Sequence, residues 1–358
     1  MPAKPIKVWI DLSNSPHPLL FAPVAERLEE LGHDVLVTAR DNAQTVELAR
    51  RTWPDLAVIG VASPAGRLAK ARTLAARIRD LRAWARNRAP DVALSHNSYA
   101  QIVAARLARI PAVTAMDFEH QPANHLAFRL ATLILVPEAF PGRAARRLGA
   151  KRRKLQRYPG LKESLYLGEF APDPDLPEAL GLFSRKGSPL VVARTPPTRA
   201  IYHPFENALF AQALRAIGRQ RDVRCVILAR HPEQVRALRE MDLPNCVVPD
   251  TAIDSRALMY EADLVVGAGG TMTREAALMG VPTFTVFAGA PPAVDRWLER
   301  EGMLRRLTDA TQVAAIQPRP KPPREIQELR EMGLAARELF ARAAIGATAE
   351  CPTPSASP

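Results

Sequence analysis

Two successive stretches of this chain alternate short apolar runs with amphipathic segments of helical length, and few architectures accept that order. In the first stretch, residues 8–11, 35–38, a short run around Val58, 92–95, 112–116 and 133–136 read as strands. Residues 18–31, 44–51, 67–88, 99–107 and 124–131 read as helices between them. Leu20, Val24, Leu28 and Leu31 line one face of the first helix, and Gly32 follows as its cap. Strands that are apolar at consecutive positions are buried on both faces, the mark of a parallel sheet covered by helices. Between residues 160 and 188 the alternation stops: Pro172, Asp173, Pro174, Asp175 and Pro177 cluster, and Gly187-Ser188-Pro189 closes the interval. It resumes with strands at 190–193, 223–228, 246–248, 264–266 and 283–287 and helices at 206–217, 233–241, 255–261 and 273–279. The expectation is an α/β protein of two Rossmann-like domains, residues 1–160 and 189–318, with a linker at 161–188 and a ligand cleft between the domains. After a proline-rich spacer, a helix at 325–345 is expected to return to the first domain, followed by a tail of disordered composition at 349–358.

The length of 358 residues is about twice that of one domain, and 47% hydrophobic with 24% charged residues is a globular composition. The N-terminus does not read as a signal peptide, and no run approaches the roughly 18 apolar residues of a membrane span. Cys225, Cys246 and Cys351 are far apart and lack metal-ligand spacing, which fits a reducing compartment. The expected location is therefore the cytoplasm.

The formal charge of +12 is concentrated. Arg67, Lys70, Arg72, Arg77, Arg79, Arg82, Arg86 and Arg88 share the 67–88 helix with a single acid, Asp80, while Leu74, Ile78, Leu81 and Ala85 form its expected inner stripe. A second basic cluster runs from Arg143 to Arg157. Such patches are either a solvated face or an attraction for phosphate, carried by an anionic membrane or a small substrate. With 6% aromatic residues and no nucleic-acid module, a nucleic-acid partner is not expected.

The sharpest motif is Leu264-Val265-Val266-Gly267-Ala268-Gly269-Gly270-Thr271-Met272-Thr273-Arg274-Glu275. An apolar strand enters a glycine turn and then a helix, which gathers backbone N–H groups and the positive helix end at one point. Either the glycines simply permit a tight turn, or a phosphate binds there. The motif is neither a Walker loop nor the dinucleotide fingerprint. Glu275, one turn into the helix, suits two ribose hydroxyls, and Arg194 at the end of an earlier strand suits a phosphate clamp.

In the first domain three strand ends are polar, where α/β sheets bind ligands. Asn14, Ser15 and the proline-flanked His17 follow the first strand. His17 is either a general base or a capping and packing residue. Asn97 and Ser98 follow the 92–95 strand; Asp117, Glu119, His120 and Asn124 follow the next. This spacing does not make a zinc helix, so neither a metal nor another cofactor is expected, and the groups suit acid–base work or acceptor binding. Arg199, Tyr202, His203, Arg230 and His231 add polar groups after strands of the second domain.

At these residues the chain resembles a known group. Asp11-Leu12-Ser13-Asn14-Ser15-Pro16-His17, Thr38-Ala39-Arg40-Asp41, Gln44-Thr45-Val46-Glu47-Leu48, Glu119-His120-Gln121-Pro122-Ala123-Asn124-His125 and Tyr158-Pro159-Gly160-Leu161-Lys162-Glu163 closely resemble domain-of-unknown-function family 354. More distantly the pattern is similar to GT-B-fold enzymes, among them the peptidoglycan N-acetylglucosaminyltransferase and the non-hydrolysing UDP-N-acetylglucosamine 2-epimerase. That resemblance implies a GT-B-like fold. It puts the diphosphate on Gly269, Gly270 and Thr271 and the ribose on Glu275. His17 resembles the histidine of the transferase's first glycine-rich loop, although Asn14-Ser15-Pro16 replaces the glycines.

The expected function is a metal-independent glycosyltransferase using a nucleotide-diphosphate sugar, with His17, Glu119 or Asp117 as base. Asn14, Ser15, Asn97, Ser98, His120 and Asn124 are expected on the acceptor side. A lipid-linked acceptor would give the basic 67–88 helix a peripheral role at the inner membrane face. The alternatives are a sugar-nucleotide 2-epimerase using Asp117, Glu119 and His203, and a non-catalytic nucleotide-sugar-binding protein.

Overall fold

The computed structural model describes residues 4–62, 66–179, 188–196, 208–229, 232–249, 254–319 and 326–349. Arg199, Tyr202, His203, Arg230 and His231, most of the proline-rich spacer and residues 350–358 lie outside the described residues. The chain divides into two compact units. The first comprises Met1–Tyr166, Pro292–Val294 and Glu331–Pro358, and the second Leu167–Pro291 and Asp295–Arg330.

The strands of the first unit are β1 (Lys7–Leu12), β2 (Asp34–Asp41), β3 (Ala57–Val61), β4 (Val92–His96), β5 (Ala112–Ala115), β6 (Leu133–Pro137) and β7 (Leu155–Tyr158). They form one parallel sheet in the order β3-β2-β1-β4-β5-β6-β7. Between and after them come α1 (His17–Glu30), α2 (Thr45–Arg50), α3 (Arg67–Arg88), α4 (Tyr99–Ala108), α5 (Asn124–Leu130), α6 (Gly142–Arg147) and α7 (Ser164–Leu167).

Strand β1 shows why its residues form a doubly covered centre. Side chains alternate across a sheet. Val8, Ile10 and Leu12 pack with Leu20, Phe21, Val24 and Leu28 of α1 and with Phe340 and Ala344 of the C-terminal helix. Trp9 packs on the opposite face with Leu81 and Ala85 of α3 and Ala100 and Ala104 of α4. Asp11 shares the parity of Trp9 and is fully buried, so its carboxylate must find partners inside the fold.

In the second unit come α8 (Leu176–Ala179), α9 (Ala208–Gly218), α10 (Pro232–Glu240), α11 (Ser255–Glu261), α12 (Thr271–Leu278) and α14 (Ala310–Ala314), while α13 (Ala293–Arg300) and α15 (Gln327–Ala349) each have residues in both units. The second unit's strands are β8 (Leu190–Arg194), β9 (Arg224–Leu228), β10 (Cys246–Val247), β11 (Leu264–Gly267), β12 (Thr283–Thr285) and β13 (Leu304–Arg306). They form a parallel sheet in the order β10-β9-β8-β11-β12-β13. From Glu331 onward α15 belongs to the first unit, where Phe340 meets Tyr158 edge-on at 5.2 Å and Glu338 pairs with Arg27 at 2.7 Å. No helix among the described residues is long and apolar enough to cross a membrane.

Several elements depart from the sequence reading, among them the short helices α6, α7, α8, α13 and α14, which it did not include. Strands β7 and β13 were not expected, because Leu-Gln-Arg-Tyr and Leu-Arg-Arg carry no apolar run; both are edge strands, half open to solvent. The inner stripe of α3 keeps Leu81 and Ala85, with Ile78 packed beside them, but differs from the expected one toward the helix start. Leu74 is exposed, whereas Arg77, counted above in the basic patch, is only 5% exposed. The buried positions are Arg77, Leu81 and Ala85, spaced four apart on one helix face.

Candidate functional site

Both sheets reverse their strand order at one point, between β1 and β4 in the first and between β8 and β11 in the second. Connections leave such a point toward opposite faces and open a crevice at the carboxyl ends of the strands. Some of the sequence-selected residues, among them His17, Asn97 and Ser98 in the first unit and Arg194, Gly269 and Gly270 in the second, end or follow the strands at these two points.

In the first unit, Arg77 reaches under the sheet end and pairs with both oxygens of Asp11 at 2.8 and 2.9 Å. Asp11 also accepts from Thr38 Oγ1 at 2.6 Å and from the Ser98 hydroxyl. Trp9 Nε1 donates to Thr38 Oγ1 at 2.8 Å, and Arg77 Nε donates to the Ile59 carbonyl at 2.9 Å. A Cβ on Gly60 would fall 2.6 Å from Arg77 Cδ, so the side chain passes where only glycine leaves room. Ser98, expected on the acceptor side, is therefore part of a buried brace, and it also caps α4 by accepting the Gln101 N–H. Asn124 is likewise enclosed: its Nδ2 donates to the Phe118 carbonyl at 2.9 Å and its Oδ1 accepts from the Tyr99 hydroxyl at 3.1 Å. Burial pushes that hydroxyl up to about 12.

His17 opens α1 between two prolines and is 3% exposed. Ser13 N–H donates to its Nδ1 at 3.1 Å. The neutral ring consequently carries its proton on Nε2. Burial holds His17 well below the ordinary imidazole value, with His96, Lys162 and Arg77 adding to the effect and Asp117 opposing it. A ring with Nδ1 occupied and Nε2 protonated is a hydrogen-bond donor. The general-base role expected for His17 does not fit this tautomer.

Behind His17 lies a group of ionisable side chains, each less than one-tenth exposed. Its ring meets that of His96 at 5.4 Å and 75°. His96 Nε2 lies 3.3 Å from Asp117 Oδ1, while Lys162 Nζ reaches Asp117 Oδ2 at 2.5 Å and Glu163 Oε1 at 2.6 Å. Burying one ammonium with two carboxylates is costly unless each is paired, as here. Glu119 is placed apart: both its oxygens accept the Ala293 N–H, at 2.9 and 3.1 Å, within the same unit. His120 lies beside it at 3.4 Å and is largely open to solvent. Asn14 and Ser15 brace the start of the 42–44 turn through Asn42 and the Gln44 N–H. No group of three or more metal-ligating side chains is arranged for an ion among the described residues.

In the second unit Gly269 and Gly270 have φ of +82° and +92° and turn the chain from β11 into α12. A Cβ on Gly267 would fall 2.5 Å from Thr273 Oγ1. Arg194 pairs in register with Gly267, which brings it beside the turn, and its Nη1 donates to the carbonyls of Leu228 and Ala229 at 3.3 and 3.1 Å. Glu275 is 4% exposed on α12, and its neighbour Arg274 pairs with the buried Asp295 at 2.7 Å. Thr271 is the first helical residue.

A family model described as protein of unknown function, DUF354, matches residues 6–325. The chain belongs to this family. It is 28% identical over 308 residues to an uncharacterized protein of Methanocaldococcus jannaschii, covering 84% of this chain and 87% of that one. Among solved structures, it is similar to UDP-GlcNAc 2-epimerase from Methanocaldococcus jannaschii with TM-score 0.68 and 13% identity, covering 93% of this chain and 99% of that one. UDP-GlcNAc 2-epimerase from Neisseria meningitidis, bound to UDP-GlcNAc, matches with TM-score 0.63 and 14% identity over 95% and 94% of the two chains. The glycotransferase of kitacinnamycin matches with TM-score 0.59 and 16% identity over 98% and 95%. These likenesses establish that the DUF354 chain has the α/β, GT-B-like fold of two Rossmann-like units.

The sequence reading of this DUF354 protein assigned no role to His96, Lys162 and Glu163, which the structure places with Asp117. His96 directly precedes the polar Asn97-Ser98 pair noted above, and Lys162 and Glu163 close the quoted Tyr158–Glu163 motif. A Lys-Glu dipeptide normally reads as solvent-exposed; only the tertiary contact with Asp117 gives it another meaning.

Proposed function

We propose that this DUF354 protein is a nucleotide-diphosphate-sugar enzyme, a glycosyltransferase that works without a metal. The observation that carries the reading is the glycine turn, helix N-terminus and Arg194 gathered at the second unit's switch point; the first unit, taken by itself, holds a buried acid–base cluster. In this assignment the N–H groups at Gly269, Gly270 and Thr271 and the Arg194 guanidinium hold the donor diphosphate, and Glu275 accepts the ribose hydroxyls. The acceptor belongs to the first unit. His96, whose Nε2 lies 3.3 Å from an Asp117 carboxylate that Lys162 holds in place, takes the proton of the acceptor hydroxyl. His17 contributes a donor at Nε2. Glu119, with both oxygens on a backbone N–H, is a positioning residue.

A second reading, the sugar-nucleotide 2-epimerase, is favoured by the fold likeness to two enzymes of that activity. Incubation with UDP-, GDP-, dTDP- and CDP-sugars separates the two. Nucleotide release that requires a second substrate supports the transferase. An epimeric sugar nucleotide formed with no second substrate replaces it with the epimerase, and binding without turnover replaces both with a binding protein.

A further inference from the structure

The helices of the first unit divide by the face of the sheet they cover. Strand residues alternate, so Trp9, Ala93, Ile134 and Val136 meet α3, α4, α5 and α6, while Ile10, Leu94, Leu133 and Leu135 meet α1, α2 and α15. The two helix layers differ in charge. Helices α1 and α2 mix Glu26, Glu29 and Glu47 with Arg27 and Arg50, and α15 interleaves Glu331 and Glu338 with Arg337 and Arg342. Along α3, α4, α5 and α6 the single acid is Asp80, whereas all four helices carry arginine. The acids of the loops between them, Asp91, Asp117, Glu119 and Glu138, lie near strand ends. Two basic clusters far apart in the chain, the α3 cluster and the one that begins at Arg143, thus share one face. An arginine-rich composition would enrich both layers alike, so the segregation has a cause of its own.

Most of this charge is not used inside the unit. Arg77 holds Asp11, Arg79 holds Asp80, and Arg129 donates to the His125 and Leu148 carbonyls. The exposed side chains of Arg72 and Arg86 on α3, Arg106 on α4 and Arg143, Arg146 and Arg147 on α6 make no hydrogen bond or ion pair among the described residues. Apolar side chains stand between them: Leu68 of α3 is 79% exposed, Leu107 of α4 51% and Leu126 of α5 47%. Helical periodicity sets Leu68 in line with Arg72, Arg79 and Arg86, on the side of α3 away from the buried Leu81 and Ala85. Arginines with leucines among them suit a partner that is anionic at its surface and apolar just beneath, as a bilayer of acidic lipids is. A nucleic acid would match the charge and leave the leucines in water.

We infer that the outer side of α3–α6 docks on an anionic lipid bilayer, with its guanidinium groups on the lipid phosphates and Leu68, Leu107 and Leu126 at the acyl boundary. The inference goes beyond the proposed chemistry and does not depend on it, because no residue assigned to that chemistry takes part.

Flotation of the full chain with vesicles of phosphatidylcholine alone, and of phosphatidylcholine mixed with phosphatidylglycerol, tests it. Binding should require the acidic lipid and weaken as salt is raised. Arg72→Gln should weaken it about fivefold, the effect of one basic residue near such a surface. Arg72→Gln, Arg86→Gln and Arg106→Gln together should weaken it by more than about tenfold. Arg50→Gln, in the opposite helix layer, should change nothing. Leu68→Ser combined with Leu126→Ser should weaken vesicle binding severalfold and leave retention on heparin as it was, which separates a bilayer from a soluble polyanion. Every substituted position is exposed, so the thermal transition should be unchanged and serves as the check on folding. Failure to float with the acidic lipid, equal losses in Arg72→Gln and Arg50→Gln, or vesicle binding indifferent to the leucine substitutions overturns the proposal.

Discussion

Ser13 donates its backbone N–H to Nδ1 of His17 across 3.1 Å, and this one bond decides which ring nitrogen carries the proton. Because the folded-state value of His17 is depressed, the unfolded chain binds the proton more readily. Stability therefore rises with pH through the window below about pH 6.5 and reaches its full value above it. Unfolding free energy followed from neutral pH down toward pH 5 should fall faster in the wild type than in His17→Gln. Parallel curves would show that His17 titrates normally.

The Asp11–Arg77 pair predicts a large local asymmetry on α3. Arg77→Met leaves a carboxylate buried with no countercharge and should cost about 3–5 kcal/mol in chemical denaturation. Arg79→Gln, two residues away and exposed, should stay within about 0.5 kcal/mol. Equal effects would place Arg77 on the solvated face.

That contrast also marks what was legible in the sequence. Consecutive apolar residues identified the central strands of both sheets, since burial on two faces writes a strong signal. Edge strands β7 and β13 bury only one side and wrote none. The span of α3 was read correctly, and so were Leu81 and Ala85 of its inner face, but Leu74 is exposed and Arg77 is buried in that face. A guanidinium can be buried when a carboxylate waits for it, and Asp11 lies 66 positions away in the chain. The glycine turn before α12 was visible because its φ values require the residue type. The His96–Asp117–Lys162–Glu163 group was not, because it joins three segments that only the sheet brings together.

Lys162→Met should destabilise by several kcal/mol, because Asp117 and Glu163 would both be left buried without their cation. Combining it with Asp117→Asn removes one of the orphaned charges, so the double variant should be more stable than Lys162→Met alone. Additive losses, measured as a double-mutant cycle, would show that the contact carries no coupling.

Gly270 adopts φ +92° and ψ −174°, a conformation essentially closed to other residues. Gly270→Ala should lower stability by about 1–3 kcal/mol, whereas Gly346→Ala, in open space on α15, should leave stability unchanged or slightly raised. Comparing the two thermal transitions checks that the loss belongs to the turn.

In the proposed function the second unit binds a nucleotide diphosphate through the Gly269–Glu275 turn. Calorimetric titration of UDP, GDP, dTDP and CDP into the wild type and Glu275→Ala tests it most directly. One nucleotide should bind, and the variant should weaken it by about 1–3 kcal/mol, the loss expected for a charged hydrogen-bonding group. Absence of binding by all four, or an affinity indifferent to Glu275→Ala, would contradict the assignment and reduce the turn to a structural link between β11 and α12.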